Sequence, residues 1–181
     1  GAYSYEYERL MPGMDAWEAG ARMREMIPAI QGLWNGNYTH DGEYYKFPES
    51  TSTPKPMQSS GPPIWIAARD PNSHEFAIKN NCNVQVTPLW QGYKEVRDLI
   101  ARFKDAQIKC QNKAQSKIML LQHTFVASSD DEIDYAAKKF SEFYGHFGAW
   151  FKNERPVDQA LMKKLSVPEL EVLDMYSPSV M

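Results

Sequence analysis

The residues best placed to do chemistry stand in one short turn, Arg69-Asp70-Pro71-Asn72-Ser73. The turn follows a continuous apolar run, Ile64-Trp65-Ile66-Ala67-Ala68, and opens a short helix reaching about Asn80. A helix N-terminus presents backbone N–H groups without intrahelical partners and the positive end of the helix dipole. Arg69, Asp70 and Ser73 therefore sit where a phosphate can be bound. The Ser73 side chain can add a hydroxyl donor. Asp70 works against this, because a carboxylate beside a dianion is unfavourable unless Arg69 neutralises it. Asp70-Pro71-Asn72-Ser73 is also a good turn and helix cap that needs no ligand, and on these residues alone the cap is the simpler reading.

Other chemistry finds less support. The four histidines, His40, His74, His123 and His146, show neither H-x-x-x-H nor H-E-x-x-H spacing, so no metal site is expected. There is no G-x-S-x-G elbow, no P-loop and no G-x-G-x-x-G, which removes the main warrant for hydrolase, nucleotide-triphosphatase and Rossmann readings. His123, amid Leu120, Leu121 and Phe125, reads as a structural residue. The aromatic stripe Phe140, Tyr144, Phe147 and Phe151 reads as core packing or a subunit contact. No catalytic acid or base can be named.

The elements around the turn follow from periodicity. Met23, Ile27, Ile30 and Trp34 predict a helix over Asp15 to Asn35, with a kink or break at Pro28. Tyr38-Thr39-His40 and Glu43 to Phe47 flank Asp41-Gly42 as a hairpin expected to lie outside the main sheet. Pro48 to Pro63 reads as an extended connector. It delivers the chain to the Ile64 to Ala68 strand, whose unbroken apolar character predicts cover on both faces. Asn83 to Thr87 and Lys117 to Ala127 read as two further strands. Val96, Leu99, Ile100 and Phe103 mark the helix between them. Ser129-x-x-Glu132 announces a helix carrying Ile133, Ala137 and Phe140, and Ser166-x-x-Glu169 suggests short helices in the tail. Strands alternating with helices predict parallel, right-handed β-α units.

Composition narrows the class. The chain has 181 residues, 43% hydrophobic and 24% charged, with a net charge of −3, as in an ordinary soluble domain. That charge gives no basic field for nucleic acid. The two cysteines, Cys82 and Cys110, make no disulfide framework or metal pattern and suit a reducing cytoplasm. No apolar run approaches the roughly 20 residues of a membrane helix. One domain over 1–181 is expected, short of the roughly 250 residues of a complete (β/α)8 barrel. Three parallel strands cannot close a barrel, so further strands or a second copy must cover the open side, and a homodimer is expected.

The middle third resembles the luciferase-like monooxygenases. The resemblance rests on Pro54-Lys55-Pro56-Met57-Gln58, Pro62 to Ala68 and Ser73-His74-Glu75-Phe76-Ala77, supported by Glu43 to Phe47 before the proline connector. It implies an α/β fold: a partial TIM (β/α)8 barrel holding strands five to seven, with strands one to four and eight outside the chain. It implies a flavin-dependent monooxygenase that takes reduced FMN, or the deazaflavin F420 as in some relatives, and oxidises a small organic substrate with oxygen. By the same resemblance Ala2, Tyr3, Ala68, Arg69, Asp70 and Ser73 contact the flavin, Ser73 through its hydroxyl and Arg69 and Asp70 mainly through backbone N–H groups. Trp90, at the mouth of the next strand, borders flavin or substrate. The alternative is a non-catalytic flavin binder or assembly module derived from the same fold.

Overall fold

The computed structural model describes residues 10–88, 92–111, 116–151, 157–158 and 161–162. They fall into two compact units, Gly1–Thr87 with Arg97–Leu121 and Pro88–Val96 with Gln122–Met181.

In the first unit the helix α1, Ala16–Asn35, starts where Asp15 accepts the Glu18 N–H at 2.8 Å. It continues through Pro28 to a C-cap at Gly36. A hairpin of β1, Tyr38–Asp41, and β2, Lys46–Ser50, follows and forms its own two-stranded sheet, outside the main one as expected. The turn is longer than Asp41-Gly42. The cause is Glu25 on α1, whose carboxylate accepts the N–H groups of Glu43, Tyr44 and Tyr45 at 2.8 to 3.2 Å and so takes them out of the ladder. β2 also takes up Pro48 to Ser50, which the sequence assigns to the connector. The connector then docks against the end of α1. Lys55 Nζ donates to the carbonyls of Leu33 and Gly36 at 2.8 and 3.1 Å, two acceptors that the helix leaves open. Gly61, at φ +79, passes so close to Trp34 that a Cβ would lie 2.2 Å from its ring.

The main sheet has the order β3-β4-β5, all parallel, from Trp65–Ala67, Asn83–Val86 and Ile118–Leu120. Helices α2, Pro71–Lys79, and α3, Gly92–Lys109, connect them. Register sets the two faces. Ile66, Val84 and Ile118 align on one, where they join Ile27, Ala77, Ile78, Leu99, Phe103 and Ala106 in the core. Ala67, Gln85 and Met119 align on the other. There Trp65 is 40% and Met119 41% exposed. The two faces of β3 therefore differ: Ile66 on the helix side is buried, whereas Trp65 and Ala67 on the other side are exposed, where the sequence predicts cover on both. α2 ends in a tight wrap about Asn81, at φ 55, with Asn81 N–H on Ile78 O at 3.1 Å and Cys82 N–H on Ala77 O at 2.8 Å. That wrap returns the chain directly into β4.

The third strand is shorter than the sequence suggests. Its last ladder bond runs from Leu121 N–H to Val86 O at 2.8 Å. Gln122 to Ser128 carry no regular structure, since β4 stops at Val86 and Pro88 has no N–H to extend pairing.

In the second unit, α4 spans Asp130–Phe151. Ser129 Oγ accepts the Glu132 N–H at 3.4 Å, and Glu132 reaches back to the Ser128 N–H at 2.6 Å, one residue earlier than a reciprocal capping box. Val157–Asp158 pairs antiparallel with Leu161–Met162, where the sequence suggests short helices. The Ser166-x-x-Glu169 start lies outside the described residues.

Candidate functional site

The β3–α2 turn is built by side chains that seize its backbone one peptide at a time. Ala68 is buried and its N–H still pairs with Gln85 O at 3.1 Å, so the strand stays anchored up to the turn. The Ala68 carbonyl accepts from His74 Nε2 at 3.0 Å, and the Arg69 carbonyl accepts from Arg102 Nη1 at 3.1 Å. Asp70 is extended, at φ −85 and ψ 153, and is the N-cap of α2, with Pro71 at the first helical position. Its carboxylate accepts the Ser73 N–H at 2.9 Å, and its carbonyl accepts the His74 N–H at 3.1 Å.

Electrostatics favour an anion here. Burial pushes the Asp70 carboxyl up, but hydrogen bonds from the Ser73 hydroxyl and backbone, with the nearby Arg24 charge, outweigh it and hold the group below its ordinary value. The carboxylate thus caps α2 and occupies one of the amides that its first turn leaves unpaired. The turn fits a phosphate in its donor set, and the Asp70 cap occupies part of that set.

His74 is fully buried, with Phe103 edge-on at 6.3 Å between ring centroids. A carbonyl can only accept, so Nε2 carries the proton facing Ala68. Nδ1 is buried without a hydrogen-bond partner among the described residues. Sequence reading passed over both His74 and Arg102. The place of His74 in the first turn of α2, one residue after Ser73, is the signal in the sequence for contact with the preceding strand end.

Ala68, Arg69, Asp70 and Ser73 lie together in this turn. Ala2, Tyr3 and Trp90 lie outside the described residues. His123 is exposed and stands against Phe140 and Phe143, with centroids at 5.3 and 5.9 Å. Among the described residues no three or more His, Cys, Asp or Glu side chains group as metal ligands. No described helix is long and apolar enough to cross a membrane.

A second polar cluster, unforeseen from sequence, joins α1 to the hairpin. Glu25 meets His40 Nε2 at 3.0 Å, and His40 Nδ1 lies 3.3 Å from the Tyr38 hydroxyl, with the His40 ring stacked on Phe47. Its members are too far apart in sequence for any spacing rule to find.

Residues 1–177 match the family described as luciferase-like monooxygenase. The chain belongs to that family. Over all 181 residues it is 55% identical to the oxygenase component of a flavin-dependent trigonelline monooxygenase from Acinetobacter baylyi, covering 50% of that protein. Over 136 residues it is 27% identical to an uncharacterized protein, y4vJ, from Sinorhizobium fredii, covering 74% of this chain and 38% of that one. The chain thus spans half or less of the length of these curated relatives. The crystal structure of monooxygenase RslO1 from Streptomyces bottropensis shares the fold, with a TM-score of 0.63 at 21% identity over 96% of this chain and 54% of that one. The three parallel β-α units are consistent with part of the barrel that the luciferase-like resemblance implies.

Proposed function

We propose that this chain is part of a flavin-dependent, luciferase-like monooxygenase that inserts one oxygen atom into a small organic substrate. The 55% identity over the whole chain to a trigonelline monooxygenase oxygenase component carries this reading and makes trigonelline the first substrate to test. When bound, reduced flavin supplies the electrons for oxygen activation, and the protein supplies orientation and a dry site. The β3–α2 turn holds the flavin phosphate on its amides and the Ser73 hydroxyl, which the Asp70 carboxylate on the Ser73 N–H supports as an anion position. FMN is the cofactor we assign, with F420 as the comparison. Ala2 and Tyr3 as flavin contacts and Trp90 as a substrate contact rest on the resemblance.

The deciding experiment gives the protein reduced FMN, or reduced F420, with trigonelline under ¹⁸O₂. One labelled oxygen atom in the product with FMN is the expected result. Oxygen consumption without labelled product would reject trigonelline, and failure to bind either flavin would reject the cofactor site. A homodimer in the cytoplasm completes the proposal. The exposed Trp65 and Met119 on one sheet face and the free thiols of Cys82 and Cys110 fit it.

A further inference from the structure

We propose that His74 and Arg102 are positioning residues that aim the amides of the β3–α2 turn at the flavin phosphate. The inference rests on the phosphate site proposed above. In a trans peptide the carbonyl of one residue and the N–H of the next point in opposite directions. The one cis bond among the described residues is Thr53–Pro54, so the peptides joining Ala68, Arg69 and Asp70 are trans. His74 Nε2 holds the Ala68 carbonyl at 3.0 Å and thereby directs the Arg69 N–H to the other side. Arg102 Nη1 holds the Arg69 carbonyl at 3.1 Å and so directs the Asp70 N–H to the side where the Asp70 carboxylate, standing where the phosphate would, now accepts it. Two consecutive carbonyls, which would repel a phosphate, are each held by a side chain from a different helix.

The two donors suit the task. His74 is fully buried within α2, and it spends one ring nitrogen on Ala68 while the other has no partner among the described residues. A buried polar group left half satisfied is costly, and an apolar side chain would serve packing alone better. Retaining the imidazole makes sense if the Ala68 carbonyl must be held. Arg102 approaches from α3, so the turn is fixed relative to the sheet and to both helices that pack on it.

The test compares dissociation constants for reduced FMN and reduced riboflavin, measured anaerobically by ultrafiltration, because only FMN carries the phosphate. Wild-type protein should prefer FMN at least about tenfold, the equivalent of roughly 1.4 kcal/mol. His74→Met and Arg102→Met should each reduce that preference at least about threefold, or roughly 0.65 kcal/mol, and leave riboflavin affinity unchanged. His74→Gln and Arg102→Lys, which keep a donor, should restore most of it. Should His74→Met fail to fold, Arg102→Met, whose side chain is only partly buried, still decides. Unchanged preference in the folded Met variants, or equal weakening of both ligands, would overturn the positioning role. A wild-type protein without preference for FMN would instead overturn the phosphate site itself, before any variant is made.

Discussion

Two neighbouring side chains in the turn should move flavin affinity in opposite directions. Ser73 offers a hydroxyl and an N–H to an anion, and a hydrogen bond to a charged group is worth roughly 1.5–3 kcal/mol. Ser73→Ala should therefore weaken reduced FMN about tenfold while leaving riboflavin unaffected. Asp70 competes, since its carboxylate already accepts the Ser73 N–H at 2.9 Å. Asn caps a helix about as well as Asp but without the charge. Asp70→Asn should thus leave stability within about 0.5 kcal/mol and tighten FMN several-fold. Both are read by the same binding measurement, and an Asp70→Asn protein with unaltered FMN affinity would place the phosphate away from α2. The capping reading and the phosphate reading, which the sequence leaves side by side, thus meet at one N–H. Sequence identifies the residues of this contest because turn and cap chemistry is local, but not His74 and Arg102, whose part depends on which carbonyls they reach.

At the scale of elements, one carboxylate of α1, that of Glu25, gathers the amides of the hairpin turn. Burial pushes Glu25 up, yet the amides of Tyr44 and Tyr45, His40 and the Glu43 amide together hold it below the ordinary 4.5. A carboxyl depressed by folding contributes stability that is present above its unfolded value and is lost as pH falls through the folded value. Stability from Glu25 should be complete above about pH 4.5 and decline at lower pH. Glu25→Gln, which keeps size but not charge, should lower the Tm by several degrees near neutral pH and flatten the acid decline. Melting curves from about pH 3 to about pH 7 would show both effects, and an acid limb as steep as wild type would assign the acid sensitivity elsewhere. Gly42 belongs to the same joint: a Cβ there would lie 2.0 Å from the Glu25 carboxylate. The sequence signals a hairpin here through alternating aromatic residues and Asp41-Gly42. It does not signal the turn length, because Glu25, far back on α1, claims the amides that a tighter turn would have paired.

For the whole molecule, the main question is what meets the side of the β3-β4-β5 sheet on which Trp65 and Met119 are exposed. Apolar periodicity identifies the three parallel strands and their helices, since each strand carries the side chains of its covered face. It also suggests cover on both faces of β3, because Trp65 and Ala67 are as apolar as Ile66. Both are exposed nonetheless, so apolar composition alone does not decide which face of a strand is covered. In a (β/α)8 barrel such a face turns inward against other strands. In the proposed homodimer a second copy would supply the cover. These arrangements separate in sedimentation velocity. The protein is expected to sediment as a dimer, and Trp65→Lys combined with Met119→Lys should yield a folded monomer, because two charges on the face cannot be buried without partners. A dimer that survives both substitutions would put the subunit interface on another surface. The Trp65 and Met119 face would then belong to a barrel interior, where the same lysines should prevent folding.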